Sequence, residues 1–302
     1  MKISRLFLLF LLFIYQPEIH SQNYIPYYNL VDEAEFQAFF GRKDVAFGLY
    51  NKAFSLKGIS PKARDLYFMG KLYLERNEKE KATLCFKKIF PLPDGYFSLW
   101  ANKQKAYFLN YYKEIEIQSL ITEAELKENE HFLEVKPIQD SLSRFVFEDQ
   151  RLRKFFIDSI QPRYKEGDKI YDSFVERVDS NDYVNQSRFL SFIRKHGYPG
   201  LYLIGNDEAA SILMHIHCEQ LQGYKETLYD LLLKGKMEPF HYVHMVDQVT
   251  LKCMGRAVYN DGIVCDICPE HRAEKRASVG MSKYFNDPGT RPYIERQFFK
   301  DF

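Results

Sequence analysis

Charge imbalance, tryptophan and early cysteine are what this 302-residue chain has least of. Lysine and arginine number 42 against 41 aspartates and glutamates, so no basic surplus points to nucleic acid and no acidic surplus to cationic partners. There is one tryptophan, and none of the five cysteines precedes Cys85, which excludes a lipid-bearing cysteine behind an N-terminal leader. No glycine-rich phosphate loop, Gly-x-Ser-x-Gly elbow or His-Glu-x-x-His helix is found, so the common nucleotide-binding, serine-hydrolase and zinc-protease signatures are missing. After residue 15, no apolar run approaches the length that spans a bilayer.

What is present is material for a sizeable core, with 46% hydrophobic and 16% aromatic residues. The chain starts with Lys2 and Arg5, then the apolar run from Leu6 to Tyr15, then a polar piece from Gln16 to Ser21 containing Pro17. That order reads as a secretory signal over residues 1–21, and it makes the expected location periplasmic or extracellular. Its removal takes Lys2, Arg5 and Glu18, leaving 40 charges of each sign. The remaining chain is expected to be neutral, without membrane insertion and without nucleic-acid partners.

Residues 22–117 read as helix pairs with an internal period of 36, seen in Gly41/Asn77, Ala46/Ala82, Tyr50/Phe86 and Phe54/Phe90. A period of this size implies stacked helical units. Leu66, Met69, Gly70, Tyr73, Ala82 and Phe86 carry the spacing of a tetratricopeptide repeat, which the second unit resembles. A third unit is suggested by Trp100 and Tyr107, each 34 residues beyond Leu66 and Tyr73. The resemblance implies a surface for a protein or peptide partner. The alternative is that these helices pack onto the rest of the chain. Residues 118–136 are charged and weakly periodic, ending before Pro137, and read as a connector.

In 137–302 polar residues fall on faces that should be buried. Counting 100° per residue, Asp149 and Arg153 share a stripe with Leu142, Phe145, Val146, Leu152, Phe156 and Ile160. Asp182 and Asn185 share one with Phe189, Phe192 and Ile193. If 207–221 is one helix, His217 joins Ala209, Ile212, Leu213 and Ile216, and His215 points elsewhere. Asp247 falls with Phe240, Val243, Leu251 and Met254, and His244 lies at the edge of that arc. His196-Gly197-Tyr198-Pro199 reads as a helix stop, and Leu201 to Ile204 as a brief extended run. A short helix is expected around Glu270 to Ala277, before an aromatic end at Tyr293, Phe298 and Phe299.

The ordered set Asp149-Gln150-x-x-Arg153, Asp182-x-x-Asn185, His196-Gly197-Tyr198-Pro199, Gly205, His217, Asp247 and Tyr259 resembles a bacterial domain family of unknown function, often found behind signal peptides and helical repeats. This chain has Ile216 before the central histidine and Gln248 after the later aspartate, where the family pattern has Gln and Arg. The resemblance implies no particular activity.

The expected fold is therefore mainly α: a short helix-turn-helix repeat array, then an α-helical bundle-like domain with a loop-rich C-terminal tail. Three readings of function stay open. The array binds a protein or peptide; or His217, with Asp182, Asn185, Asp247, Asp149 and Arg153, forms a hydrolase-type acid–base centre; or the inward polar groups only fix packing. No organic cofactor is implied, while two carboxylates with His217 and His244 would suit a divalent metal. Cys265-Asp266-Ile267-Cys268 followed by His271 has metal-like spacing, but without a second pair a local disulfide between Cys265 and Cys268 is the simpler expectation outside the cytoplasm.

Overall fold

A computed structural model describes residues 22–206, 208–255, 258–259 and 269–281. They are mainly α-helical, and no strand occurs among them. The first helices are α1 (Ile25–Phe39), α2 (Lys43–Phe54), α3 (Ala63–Glu75) and α4 (Lys79–Ile89), packed as two consecutive pairs. Their turns reflect the 36-residue period: Gly41 has φ 75° and Asn77 φ 61°, the same left-handed position one repeat apart. Within the second pair, a Cβ at Gly70 would collide with the Phe86 ring, so the missing side chain sets how closely α3 and α4 approach. Two short helices, α5 (Phe97–Lys103) and α6 (Lys105–Phe108), follow around buried Trp100 and Phe108.

The expected connector is not a separate segment. Residues 118–136 lie inside α7 (Glu114–Phe155), a single helix of 42 residues that runs through Pro137. An interior proline removes one backbone donor and crowds the carbonyl four residues back. Here Pro137 and Leu133 are both exposed, so water can serve the released carbonyl, while the Ser141 hydroxyl donates to the Pro137 carbonyl at 2.8 Å. The helix continues through a π-helical turn (Phe156–Ile160), then turns back into α8 (Lys169–His196). Gly197, with φ 91°, ends α8 ahead of Pro199 as the helix-stop pattern requires.

The next stretch departs from expectation twice. Leu201–Ile204 forms a short helix, α9, closed by Gly205 in the left-handed conformation, where an extended run was expected. Residues 207–221 are not one helix either: α10 (Ala209–Leu213) stops, Met214–His217 is irregular, and a 3₁₀ turn (Cys218–Gln220) leads into α11 (Leu221–Leu233). Last come α12 (Pro239–Met254) and α13 (Pro269–Ala277). Cys218 is joined to Cys253 in the last turn of α12, with Cα atoms 5.6 Å apart and the two residues 35 positions apart in sequence. Closing a loop of that size stabilises the fold by about 2–4 kcal/mol in the chain-entropy account. Cys85 is buried as a free thiol. The expected Cys265–Cys268 bond and the aromatic end of the chain lie outside the described residues.

One continuous core extends from Tyr24 to Met281. The array packs onto the second half through the first helix of each pair. The Tyr24 N–H donates to the Leu233 carbonyl at 2.9 Å, the Tyr28 hydroxyl to the Met237 carbonyl at 2.9 Å, and the Lys62 ammonium to the Gly235 carbonyl. From the far end of the chain, the Ala277 carbonyl accepts from the Asn29 amide at 2.9 Å. Among the described residues no helix is long and apolar enough to cross a membrane.

Gly235 marks how tight this junction is, because at φ 66° an added Cβ would sit 2.6 Å from the Tyr24 ring. Gly235→Ala is therefore expected to lower the unfolding free energy by about 1–3 kcal/mol. Gly58→Ala, at φ 77° with open space around it, should cost less. Equal losses in urea titrations would show that the junction carries no packing constraint.

Candidate functional site

Asp149 and Arg153 stand four residues apart near the end of α7, and Asp182, Asn185 and Gln186 occupy the facing surface of α8. Both helices are regular here, so each places its polar residues on one stripe, and the α7–α8 hairpin brings the stripes together. Arg153 links them. Its Nη2 donates to Asp182 Oδ2 in a close ion pair, and its Nε lies 3.5 Å from Asp149 Oδ2. Asn185 Nδ2 donates across the hairpin to the Phe145 carbonyl at 3.4 Å.

The irregular residues after α10 supply two imidazoles. His215 Nε2 lies 3.8 Å from Asp149 Oδ2, and His217 Nε2 lies 3.7 Å from Asp179 Oδ1, with its ring edge-on to Tyr183 at 5.5 Å. Since the helix is broken at Met214, His215 does not point away as expected; it faces Asp149. Gln186 helps place the break, donating to the Ile212 carbonyl at 2.5 Å while its own side-chain carbonyl accepts from the Tyr224 hydroxyl at 2.8 Å. Gln220 ties the other side of the loop to the Tyr183 carbonyl and to Ser187 Oγ.

Asp247 has a different task. It is fully buried on α12, and its Oδ1 accepts from the backbone N–H groups of Val258 and Tyr259, both at 2.7 Å. The Tyr259 carbonyl in turn accepts from Arg276 Nε at 3.0 Å. Asp247 thus anchors the chain that leaves α12. Among the described residues no three His, Cys, Asp or Glu side chains converge as a metal-holding group.

The centre is graded from floor to rim. The Asp149 side chain is 0% exposed, whereas Arg153, His215 and His217 keep 21%, 28% and 16% of theirs in solvent. Burial pushes the Asp149 carboxyl up to about 6, helped by the neighbouring Asp182 charge and opposed by Arg153 and the Gln150 amide. Burial also raises Asp182, against the pull of Arg153. At His215 burial, then the positive charges of Arg153 and Lys252, lower the imidazole to about 4. The usual order of a carboxylic acid and an imidazole is inverted.

Several buried atoms here have no hydrogen-bond partner among the described residues: Asp149 Oδ1, Arg153 Nε, Asp182 Oδ1, Asn185 Oδ1 and His217 Nε2. Each such atom costs about 1–3 kcal/mol, an outlay that packing alone does not require. No family model matches this chain, and neither does any curated protein or solved structure.

Sequence reasoning placed Asp149, Arg153, Asp182 and Asn185 inward and included His217. It missed His215 and Asp179. Only the break in the helix brings His215 in, and nothing in the run Met214–Gln220 announces it, since that run contains neither glycine nor proline.

Two titrations of opposite sign follow. Asp149 is raised, so its folded form holds the proton between about pH 4 and 6, and the stability this gives is lost as pH rises through that window. His215 is lowered, so its unfolded form binds the proton between about pH 4 and 6.5, and stability is lost as pH falls through that window. Relative to the parent chain, Asp149→Asn should make stability rise more steeply from pH 4 to 6.5, and His215→Gln should make it fall from pH 4 to 6, each by at most about 1.4 kcal/mol per pH unit. Urea midpoints at four pH values test this, and parallel profiles for all three proteins would refute the inverted pair. Arg153→Met should cost roughly 3 kcal/mol, the low end for breaking a buried pair because part of the guanidinium is solvated. A loss below about 1 kcal/mol would mean that the two carboxylates do not depend on it.

Proposed function

We propose that this protein is a hydrolase-type enzyme whose acid–base pair is His215 and Asp149. The observation that carries the reading is the partly exposed His215 Nε2 lying 3.8 Å from the buried Asp149 Oδ2, where burial drives the imidazole down to about 4 and the carboxyl up to about 6. Titratable neighbours driven apart in this way are how acid and base roles are divided within one site. In hydrolysis of an acyl compound, the His215 Nε2 lone pair takes a proton from water as its oxygen attacks the carbonyl carbon. The charge gathering on the carbonyl oxygen is met by the Arg153 guanidinium, which Asp182 holds in place. His215 then passes that proton to the leaving group, and Asp149, sealed behind it with its own proton, keeps the ring neutral between turnovers. His217, on the solvent-reachable rim beside Asp179 and Tyr183, contacts the part of the substrate that stays outside.

The reading includes an exported protein. The N-terminal pattern of residues 1–21 supports it, and so does the Cys218–Cys253 bond, since disulfides persist in oxidising compartments. A second reading, binding of a protein partner by the array, is favoured by the outward side chains of Val45, Leu84 and Leu99. The face made by α1 and α3 is already filled by residues 233–237, so such a partner would use the opposite surface.

The test is turnover of a panel of chromogenic esters and amides by the full chain between pH 3.5 and 7.5, with and without a metal chelator. A bell-shaped kcat/KM centred near pH 5 is expected, because His215 must be unprotonated and Asp149 protonated. His215→Gln and Asp149→Asn should each lower kcat/KM by about 10²–10⁴. Full turnover in both variants would remove the pair from the chemistry.

A further inference from the structure

The loop that carries both imidazoles is fastened on two sides by different means. Toward α8 it is held by hydrogen bonds, from Gln186 to the Ile212 carbonyl and from Gln220 to the Tyr183 carbonyl and Ser187 Oγ. Toward α12 it is held by a covalent bond, because Cys218 directly follows His217 and is joined to Cys253. The two cysteines differ in exposure: Cys218 is an exposed residue, while Cys253 is half-buried in the last turn of α12, just before Gly255 ends that helix at φ 66°. The remaining free thiol in the described residues, Cys85, is buried among the array helices.

We propose that the Cys218–Cys253 bond is a thiol-addressable latch on the histidine loop, so that a small thiol of the glutathione class modifies Cys218 and releases the loop from α12. The thiolate sulfur attacks Cys218 Sγ, forming a mixed disulfide there, and the Cys218–Cys253 bond breaks with its electron pair leaving on Cys253, which takes up a proton. A second thiol attacking the mixed disulfide leaves both protein cysteines reduced and carries the oxidised thiol away. Attack falls on Cys218 because access decides which sulfur is reached, and exposed disulfides are the labile class. With the bond open, His215 and His217 are held only from the α8 side, on a segment without regular backbone hydrogen bonds. Such segments open first. The link to catalysis rests on the function proposed above; the latch itself does not.

The experiment uses the full chain with Cys265→Ser and Cys268→Ser, so that buried Cys85 is the one cysteine left beside the bonded pair. Reduced glutathione is added under native conditions, free thiols are trapped with N-ethylmaleimide, and the adducts are mapped by peptide mass spectrometry. Glutathione on Cys218, maleimide on Cys253 and an unlabelled Cys85 are expected. Amide exchange over residues 214–220 should quicken at least tenfold, with residues 25–89 unchanged, and the His215 ring should titrate closer to an ordinary histidine. Cys218→Ser with Cys253→Ser should reproduce the loosened loop without any thiol. The proposal is overturned if glutathione enters only after global unfolding, if exchange quickens across the array as well, or if loop and imidazoles are unmoved by opening the bond. A doubly substituted chain that cannot fold gives the bond a global structural role and likewise overturns it. A loosened loop with unchanged turnover near pH 5 would instead keep the latch and refute His215 as the base.

Discussion

The guanidinium of Arg153 holds the second half of this protein in its arrangement. It stands between two carboxylates on two helices, Asp149 on α7 and Asp182 on α8, and neither could be kept away from water at tolerable cost without it. Its charge is shared, so two acids are served by one cation, and the centre is balanced when only one of them is ionised. Under that arrangement Asp149 takes its proton more readily than an exposed aspartate. The same positive charge acts with burial on His215, which gives its proton up more readily than an exposed histidine. One side chain therefore organises the packing of a helical hairpin and the division of proton affinity across it.

The other half is joined by a different kind of contact. Tyr24, Tyr28 and Lys62 all reach backbone carbonyls of residues 233–237, and recognition of backbone depends on the path of the chain rather than on the side chains it carries. This junction sits between α11 and α12, and α12 is the helix to which the histidine loop is bonded. The array thus fixes the position of elements that support the candidate site.

Much of this could be read along the sequence, and the failures share a cause. Where a helix is regular, counting 100° per residue placed Asp149 with Arg153 and Asp182 with Asn185 on inward faces, and the helix stop at Gly197 followed from local backbone chemistry. The helical mainly-α class was legible for the same reason. What could not be read was decided by contacts distant in sequence. Residues 214–217 leave the helix because Cys218 is drawn to Cys253 and Gln186 engages the Ile212 carbonyl, partners 35 and 26 residues away. Asp247 has an inward burial pattern, and the groups that its Oδ1 accepts from lie after its own helix, where periodicity does not reach. Pro137 looks like a boundary, but whether a proline ends a helix depends on which side faces water, and here the exposed side bears the loss.

The uninterrupted helix from Glu114 to Phe155 spans about 60 Å. It begins beside the array, where Glu116 pairs with Lys79, and it ends at Asp149 and Arg153. One helix therefore carries backbone hydrogen bonding from the array to the acid and the guanidinium, with Pro137 the one interior position that cannot donate to it. Cutting the chain at the charged stretch before Pro137 would sever that helix in mid-span and separate the carboxyl from the scaffold that aims it.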